Sequence, residues 1–327
     1  MTLVLTRGDV AALLTLDECI AAIEEAFALQ GAGRALGPGV LGLHVPGGGF
    51  HVKAAGLPLS RLYVAVKLNA NFPENGPRRG LPTIQGVIAL SDGETGRPLA
   101  LMDSMEITVL RTGAATAVAA RHLARADAHV VTIVGCGRQG RVQLAALARV
   151  RPLERAYAVD TDAAVAQRFA KETSAQLGLD VRPGGSVADV APLSDICVTC
   201  TPSRAPLLRR EDVAAGTFIA AVGADNEDKL EIDPALMAAG TIVVDSLEQC
   251  ATIGDLHHAL ARGVLSAGDV HAVLADVVAG RKPGRTSADE ITIFDSTGVA
   301  IEDVAAAAAV YERAIAGGRG TTIDLAG

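Results

Sequence analysis

Val130-Val131-Thr132-Ile133-Val134-Gly135-Cys136-Gly137-Arg138-Gln139-Gly140 sets an apolar run directly before a GxGxxG pattern, and a helix-like stretch follows to Ala148. Glycine at these spacings permits a tight turn and lets the backbone approach a pyrophosphate, which rests on the helix N-terminus. A second apolar run ends at Ala158-Val159-Asp160, roughly 20 residues on, where an acid binds the adenosine ribose hydroxyls. Together these features point to a dinucleotide site. Asp160 repels a 2′-phosphate, so NAD is favoured over NADP.

Outward from this point the chain alternates strands and helices. Strands are expected at Val130–Val134, Ala156–Val159, Asp195–Thr201, Phe218–Val222 and Thr241–Val244. Helical stretches lie between most of them, for example Ala163–Ala175, which means a parallel sheet with crossover helices. Asp255–Ala279 reads as helical, Thr292–Asp295 as one more strand and Ile301–Ala316 as an Ala-rich helix. Before residue 128 the pattern differs. Thr15-Leu16-Asp17-Glu18 has capping-box form before a helix reaching Phe27, and Leu62–Leu68 and Thr83–Leu90 read as strands. Ile107–Ala124 reads as a long helix. The expected class is α/β: a Rossmann-type parallel-sheet domain plus an α+β domain.

Composition narrows the function. Half of the 327 residues are apolar but only 3% are aromatic, and the formal net charge is −8. That balance argues against an electrostatic nucleic-acid binder. No run is long and apolar enough to span a membrane, and no signal peptide is read at the start. Five cysteines then suggest reduced thiols and a cytoplasmic protein. Cys197 and Cys200 have CxxC spacing, but in a strand residues three apart face opposite sides, which argues against a metal or redox pair. The histidines show no metal spacing, and His257-His258 reads as a solvated helical pair.

Candidate chemistry is more open. Asp225 follows the strand ending at Val222, either as a general acid/base near the nicotinamide end of the cofactor or as a plain loop or capping acid. Lys67, within Val64-Ala65-Val66-Lys67-Leu68, lies either on the solvent face of an edge strand, the commoner arrangement, or buried with an anion. Arg111, in the Ala-rich helix before Thr112-Gly113-Ala114-Ala115, either reaches an anion past those small residues or is a surface charge, and Lys53 is open in the same way. Pro202, after Thr201, and Gly223 end strands near which such sheets bind ligands, and both are also ordinary strand terminators.

As an ordered set, Val66-Lys67, Gly80-Leu81-Pro82-Thr83, Gly96-Arg97-Pro98-Leu99-Ala100, Arg111-Thr112-Gly113-Ala114, the Gly135 loop, Val222-Gly223-Ala224-Asp225 and Phe294-Asp295-Ser296-Thr297-Gly298 resemble the ornithine cyclodeaminase/μ-crystallin family. The resemblance implies a homodimer in which residues 1–115 and 297–327 form the substrate and dimerisation domain. Residues 116–296 form the NAD-binding Rossmann domain. It assigns Lys67 and Arg111 to the substrate carboxylate, with Lys67 counted beside Asp225, the acid/base, as catalytic. Thr83, Arg111, Gly135, Gly137, Arg138, Gln139, Gly140, Asp160, Thr201, Val222, Gly223, Lys229 and Ser296 fall at cofactor or pocket positions. No metal is implied.

One departure bears on substrate. Ornithine-using members carry a glutamate upstream of the family's lysine, where this chain has Lys53-Ala54. A cation repels an ornithine ammonium and suits a second carboxylate. The best match is NAD-dependent reduction of iminosuccinate to aspartate. Ornithine cyclodeaminase, alanine dehydrogenase, pyrroline-2-carboxylate reductase and a non-catalytic crystallin-like protein are the alternatives.

Overall fold

The computed structural model describes residues 1–325. The chain divides into two units, one built from both chain ends (Met1–Arg111 and Val299–Gly327) and one from Thr112–Gly298. The boundaries read from the sequence lie a few residues away from these.

In the first unit a mostly antiparallel sheet contains β1 (Thr2–Leu5), β2 (Leu36–Val45), β3 (Gly48–Pro58), β4 (Leu62–Asn71), β5 (Ile84–Asp92) and β6 (Pro98–Asp103). The closing strand Thr321–Ile323 pairs with β1, and the order runs on through β6, β5, β4 and β3 to β2. Alternation along β4 sorts its faces. Tyr63, Ala65 and Lys67 are buried, whereas Val66 and Leu68 are exposed, as a period of two requires. Helices Leu16–Gly31 and Ala300–Gly317 pack against each other, and the latter also packs on β3 and β4. Val304 to Ala308 are all buried, and small side chains there allow close packing. The expected capping box is present: Glu18 N–H donates to Thr15 Oγ1 at 3.4 Å, and Thr15 N–H donates to Glu18 Oε2 at 3.1 Å.

The second unit holds β7 (Val130–Val134), β8 (Arg155–Val159), β9 (Asp180–Pro183), β10 (Ile196–Thr199), β11 (Arg204–Leu208), β12 (Phe218–Ala221), β13 (Leu230–Ile232), β14 (Thr241–Val244), β15 (Ala272–Val273) and β16 (Thr292–Asp295). Eight of them form one parallel sheet in the order β15-β14-β16-β12-β10-β7-β8-β9. β10, β12 and β16 are buried throughout, which explains why their text is mostly apolar without alternation. From β7 the chain builds outward to β8 and β9, then returns to β10 on the other side. The crevice beyond β7 and β10 is therefore the topological switch point where such sheets take ligands.

Two expectations need correction, and two strand pairs went unread. Asp255–Ala279 is not one helix. It holds the helix Asp255–Ala261, a 3₁₀ turn, the strand β15 and the short helix Leu274–Val278; Gly263, at φ +66°, breaks the first. The β2–β3 hairpin and the β11–β13 pair went unread because Gly and Pro interrupt the first and the strands of the second are short. His257 and His258 are half-buried rather than solvated, each with a ring nitrogen on a carbonyl, Ala251 O at 3.2 Å and Lys229 O at 2.9 Å.

Candidate active site

In the first unit, the register sets Lys53 of β3 directly across from Lys67 of β4. Like charges in that position repel, and an anion must offset them. It comes from the other end of the chain. Lys67 Nζ lies 2.6 Å from Asp303 Oδ2. Arg111 Nη1 donates to Glu302 Oε2 at 2.7 Å, and Arg111 Nε is 3.5 Å from Asp303 Oδ1. Lys67 is 4% exposed, Arg111 6%, Glu302 0% and Asp303 2%. Lys67 is thus not on a solvent face: the rarer, buried alternative holds. Both acids lie in the first turn of the helix Ala300–Gly317, where the helix dipole favours negative charge.

Burial is the largest influence on Lys67 and pushes its ammonium down from 10.5 to about 8; Asp303 opposes the fall, and Arg111 and Lys53 add to it. Burial alone raises Asp303, but Lys67 and Arg111 overcome it and hold the carboxyl below its usual range. Lys53 is half-buried and acts on both groups. Lys67 and Arg111 thus share Asp303, with Glu302 as a second carboxylate on Arg111.

In the second unit the glycine loop sits at the end of β7. Gly135 has φ +102°, and a Cβ there would meet Cys200 O at 2.8 Å; a Cβ on Gly140 would meet Gly135 O at 2.2 Å. The helix Arg138–Leu147 begins at Gly137 with no side-chain cap, and a Cβ on Gly137 would meet open space. Arg138 is exposed and Gln139 half-buried on the first turn. At the end of β8, Asp160 accepts from Cys136 N–H at 2.9 Å and from Asp162 N–H at 3.1 Å. An uncapped helix N-terminus beside an anchored carboxylate suits a dinucleotide: N–H donors for the pyrophosphate and an acceptor for a ribose diol.

The remaining positions follow the strand ends. Thr201 and Gly223 lie after β10 and β12, and both donate to Glu231, as described below. Val222 N–H donates to Thr199 O at 2.9 Å. Asp225 is in the loop after β12, half-exposed, with Lys229 Nζ 2.6 Å from its Oδ1. Ser296, after β16, is buried and donates to Asp245 Oδ2 at 3.1 Å. Thr83, in the first unit, is exposed just before β5. Cys197 is buried in β10 and Cys200 half-buried beyond it. Among the described residues no His, Cys, Asp and Glu cluster offers a metal site, and no helix is long and apolar enough to cross a membrane.

Glu302, Asp303 and Glu231 were not singled out as site residues from the sequence. Two adjacent acids opening an Ala-rich helix were the available signal for the first two. An acid flanked by Leu230 and Ile232 reads as the polar face of a strand, which hid the third.

The model of the ornithine cyclodeaminase/mu-crystallin family matches residues 1–318. An alanine dehydrogenase of Archaeoglobus fulgidus is 41% identical over 325 residues, covering 99% of this chain and 98% of the relative. A solved archaeal alanine dehydrogenase dimer with bound NAD superposes with a TM-score of 0.95 at 40% identity, covering 99% of each chain. The iminosuccinate reductase of Paracoccus denitrificans in complex with NAD+ gives a TM-score of 0.91 at 32% identity, again covering 99% of each.

Proposed function

The chain belongs to the ornithine cyclodeaminase/mu-crystallin family, and from that premise we propose that it is an NAD-dependent oxidoreductase interconverting an amino acid and its imine, with iminosuccinate and aspartate as the pair. The observation that carries the proposal is the buried cluster of Lys67, Arg111, Glu302 and Asp303, with Lys53 across from Lys67.

Lys67 and Arg111 take the α-carboxylate of the substrate. Glu302 and Asp303 keep the two cations fixed before it arrives, so little ordering is left to binding. Lys53 takes the second carboxylate. The Gly135–Gly140 loop and the helix behind it hold the pyrophosphate of NAD, and Asp160 holds the adenosine ribose. When bound, the reduced cofactor supplies the hydride equivalent for the imine carbon. Asp225 keeps the imine nitrogen protonated, which makes that carbon electrophilic, and in the reverse direction it accepts the proton. Lys229 Nζ, 2.6 Å from Asp225 Oδ1, holds that carboxylate in place in the loop.

A second copy of the chain completes the protein in this reading, as in the archaeal alanine dehydrogenase dimer. The outer face of the first unit's sheet exposes Leu41, Val66, Leu68, Val87 and Leu101, a contiguous apolar stripe of the kind that interfaces cover.

Alanine is the second substrate reading, and the 41% identity to the Archaeoglobus fulgidus enzyme supports it. The Lys53→Ala variant separates the two. It is expected to raise KM for aspartate about tenfold, equivalent to about 1.4 kcal/mol, and to leave KM for alanine unchanged. Preference for alanine over aspartate in the unaltered protein would replace the dicarboxylate reading with the monocarboxylate one.

A further inference from the structure

We propose that Glu231 is a positioning residue whose carboxylate locks the turn after β10 to the base of the loop that carries Asp225. Its side chain is fully buried. Oε1 accepts from both Thr201 N–H and Thr201 Oγ1–H at 2.7 Å, and Oε2 accepts from Gly223 N–H at 2.8 Å. One carboxylate therefore bridges the ends of β10 and β12, the two strand ends over which the nicotinamide half of a dinucleotide lies in such sheets.

The same bridge closes the Asp225 loop. That loop leaves β12 at Gly223 and returns at β13, where Leu230 N–H donates to Ser203 O at 2.9 Å. Glu231 itself is held from behind: its N–H and that of Ile232 donate to Asp255 Oδ1 at 2.7 and 2.9 Å. Asp255 is in turn anchored, its N–H donating to Asp295 Oδ1 at 3.3 Å. Among the described residues no Lys or Arg pairs with Glu231. Three donors from two turns replace the missing cation. Burial pushes the Glu231 carboxyl up, and these donors oppose the rise. A neutral side chain cannot satisfy all of them. In Gln, the amide NH₂ would face either the Thr201 donors or Gly223 N–H, and one turn would be released.

The inference rests on the function proposed above only where it concerns the cofactor and Asp225; the locking of the two turns stands on the geometry alone. Glu231→Gln tests both. In the ligand-free protein, amide hydrogen exchange at Thr201 or Gly223 is expected to accelerate at least tenfold, the equivalent of about 1.4 kcal/mol. NADH affinity, measured by titration calorimetry, is expected to fall. A displacement of the Asp225 loop by about 1 Å is expected to lower kcat by up to about 10²-fold, with KM for the amino acid unchanged because the carboxylate clamp is untouched. Thr201→Val, which removes the Oγ1–H bond to Glu231 together with the Ser203 N–H bond onto that oxygen and leaves the two backbone N–H bonds to Glu231 in place, should shift the same quantities less, and it decides the matter if the Gln variant does not fold. Unaltered exchange, NADH binding and kcat in a folded variant would overturn the proposal. An unaltered protein that binds no NADH would instead defeat the function reading and leave the exchange result to judge Glu231.

Discussion

Asp225→Asn is expected to lower kcat by roughly 10²- to 10⁴-fold, the range over which a positioned acid or base contributes. NADH affinity should remain close to that of the unaltered protein, because Asp225 lies in the loop beyond β12 and not on the Gly135 turn. The amide keeps the shape of the carboxylate but neither accepts nor returns a proton. It also removes the charge partner of Lys229 Nζ, 2.6 Å away. That pair is half-exposed and contributes little to stability, so the variant should unfold at nearly the same temperature. Near-normal turnover in the Asn variant would remove Asp225 from the chemistry, whatever its place in the loop.

Lys67→Met is expected to cost about 3–5 kcal/mol of stability, because it leaves Asp303 charged, buried and short of its closest partner. Denaturant unfolding measures this. The double variant Lys67→Met with Asp303→Asn should recover most of the loss, since removing both members of a buried pair is often neutral. It should not recover substrate binding, because the carboxylate still lacks its ammonium. Recovery of binding along with stability would make Lys67 a structural residue only.

The same lysine predicts a pH dependence. With its folded value at about 8, Lys67 loses its proton as pH rises through that point, and KM for a carboxylate substrate should climb about tenfold per pH unit above it. Stability moves the other way. The folded value lies below the unfolded 10.5, so between the two the unfolded chain binds more protons on this group. Its contribution to stability therefore grows with pH across that window. A KM for the carboxylate substrate that stays flat from pH 7 to 9, over about 2 units, would contradict the clamp.

The parts of the protein legible in its sequence are those whose causes are local. An apolar run followed by glycines at fixed spacing demands the β7 turn whatever surrounds it, and Asp160 follows from the strand it ends. Lys67 shows the opposite case. Nothing near it in the chain explains a buried lysine; the explanation is Asp303, brought to β4 from the far end of the chain by the C-terminal helix. Glu231 is similar, since its partners Thr201 and Gly223 follow two other strands. The β2–β3 hairpin failed to read because Gly37, Pro38, Gly39 and Gly47 to Gly49 look like loop residues. Yet Gly39, Gly48 and Gly49 are paired in the ladder, Gly37 and Pro38 fall in an irregularity within it, and Gly47 lies in the tight turn. Charge pairs and backbone ladders over long separations are thus the features that local propensity does not encode.

The most direct measurement is the absorbance of NADH formed by the purified protein with NAD and, in turn, L-aspartate, L-alanine, L-proline and L-ornithine, with ammonia followed in parallel. The account predicts NADH accumulating as amino acid is consumed, fastest with aspartate. Conversion of ornithine to proline and ammonia with no net NADH, and no NADH from the other three, would contradict it.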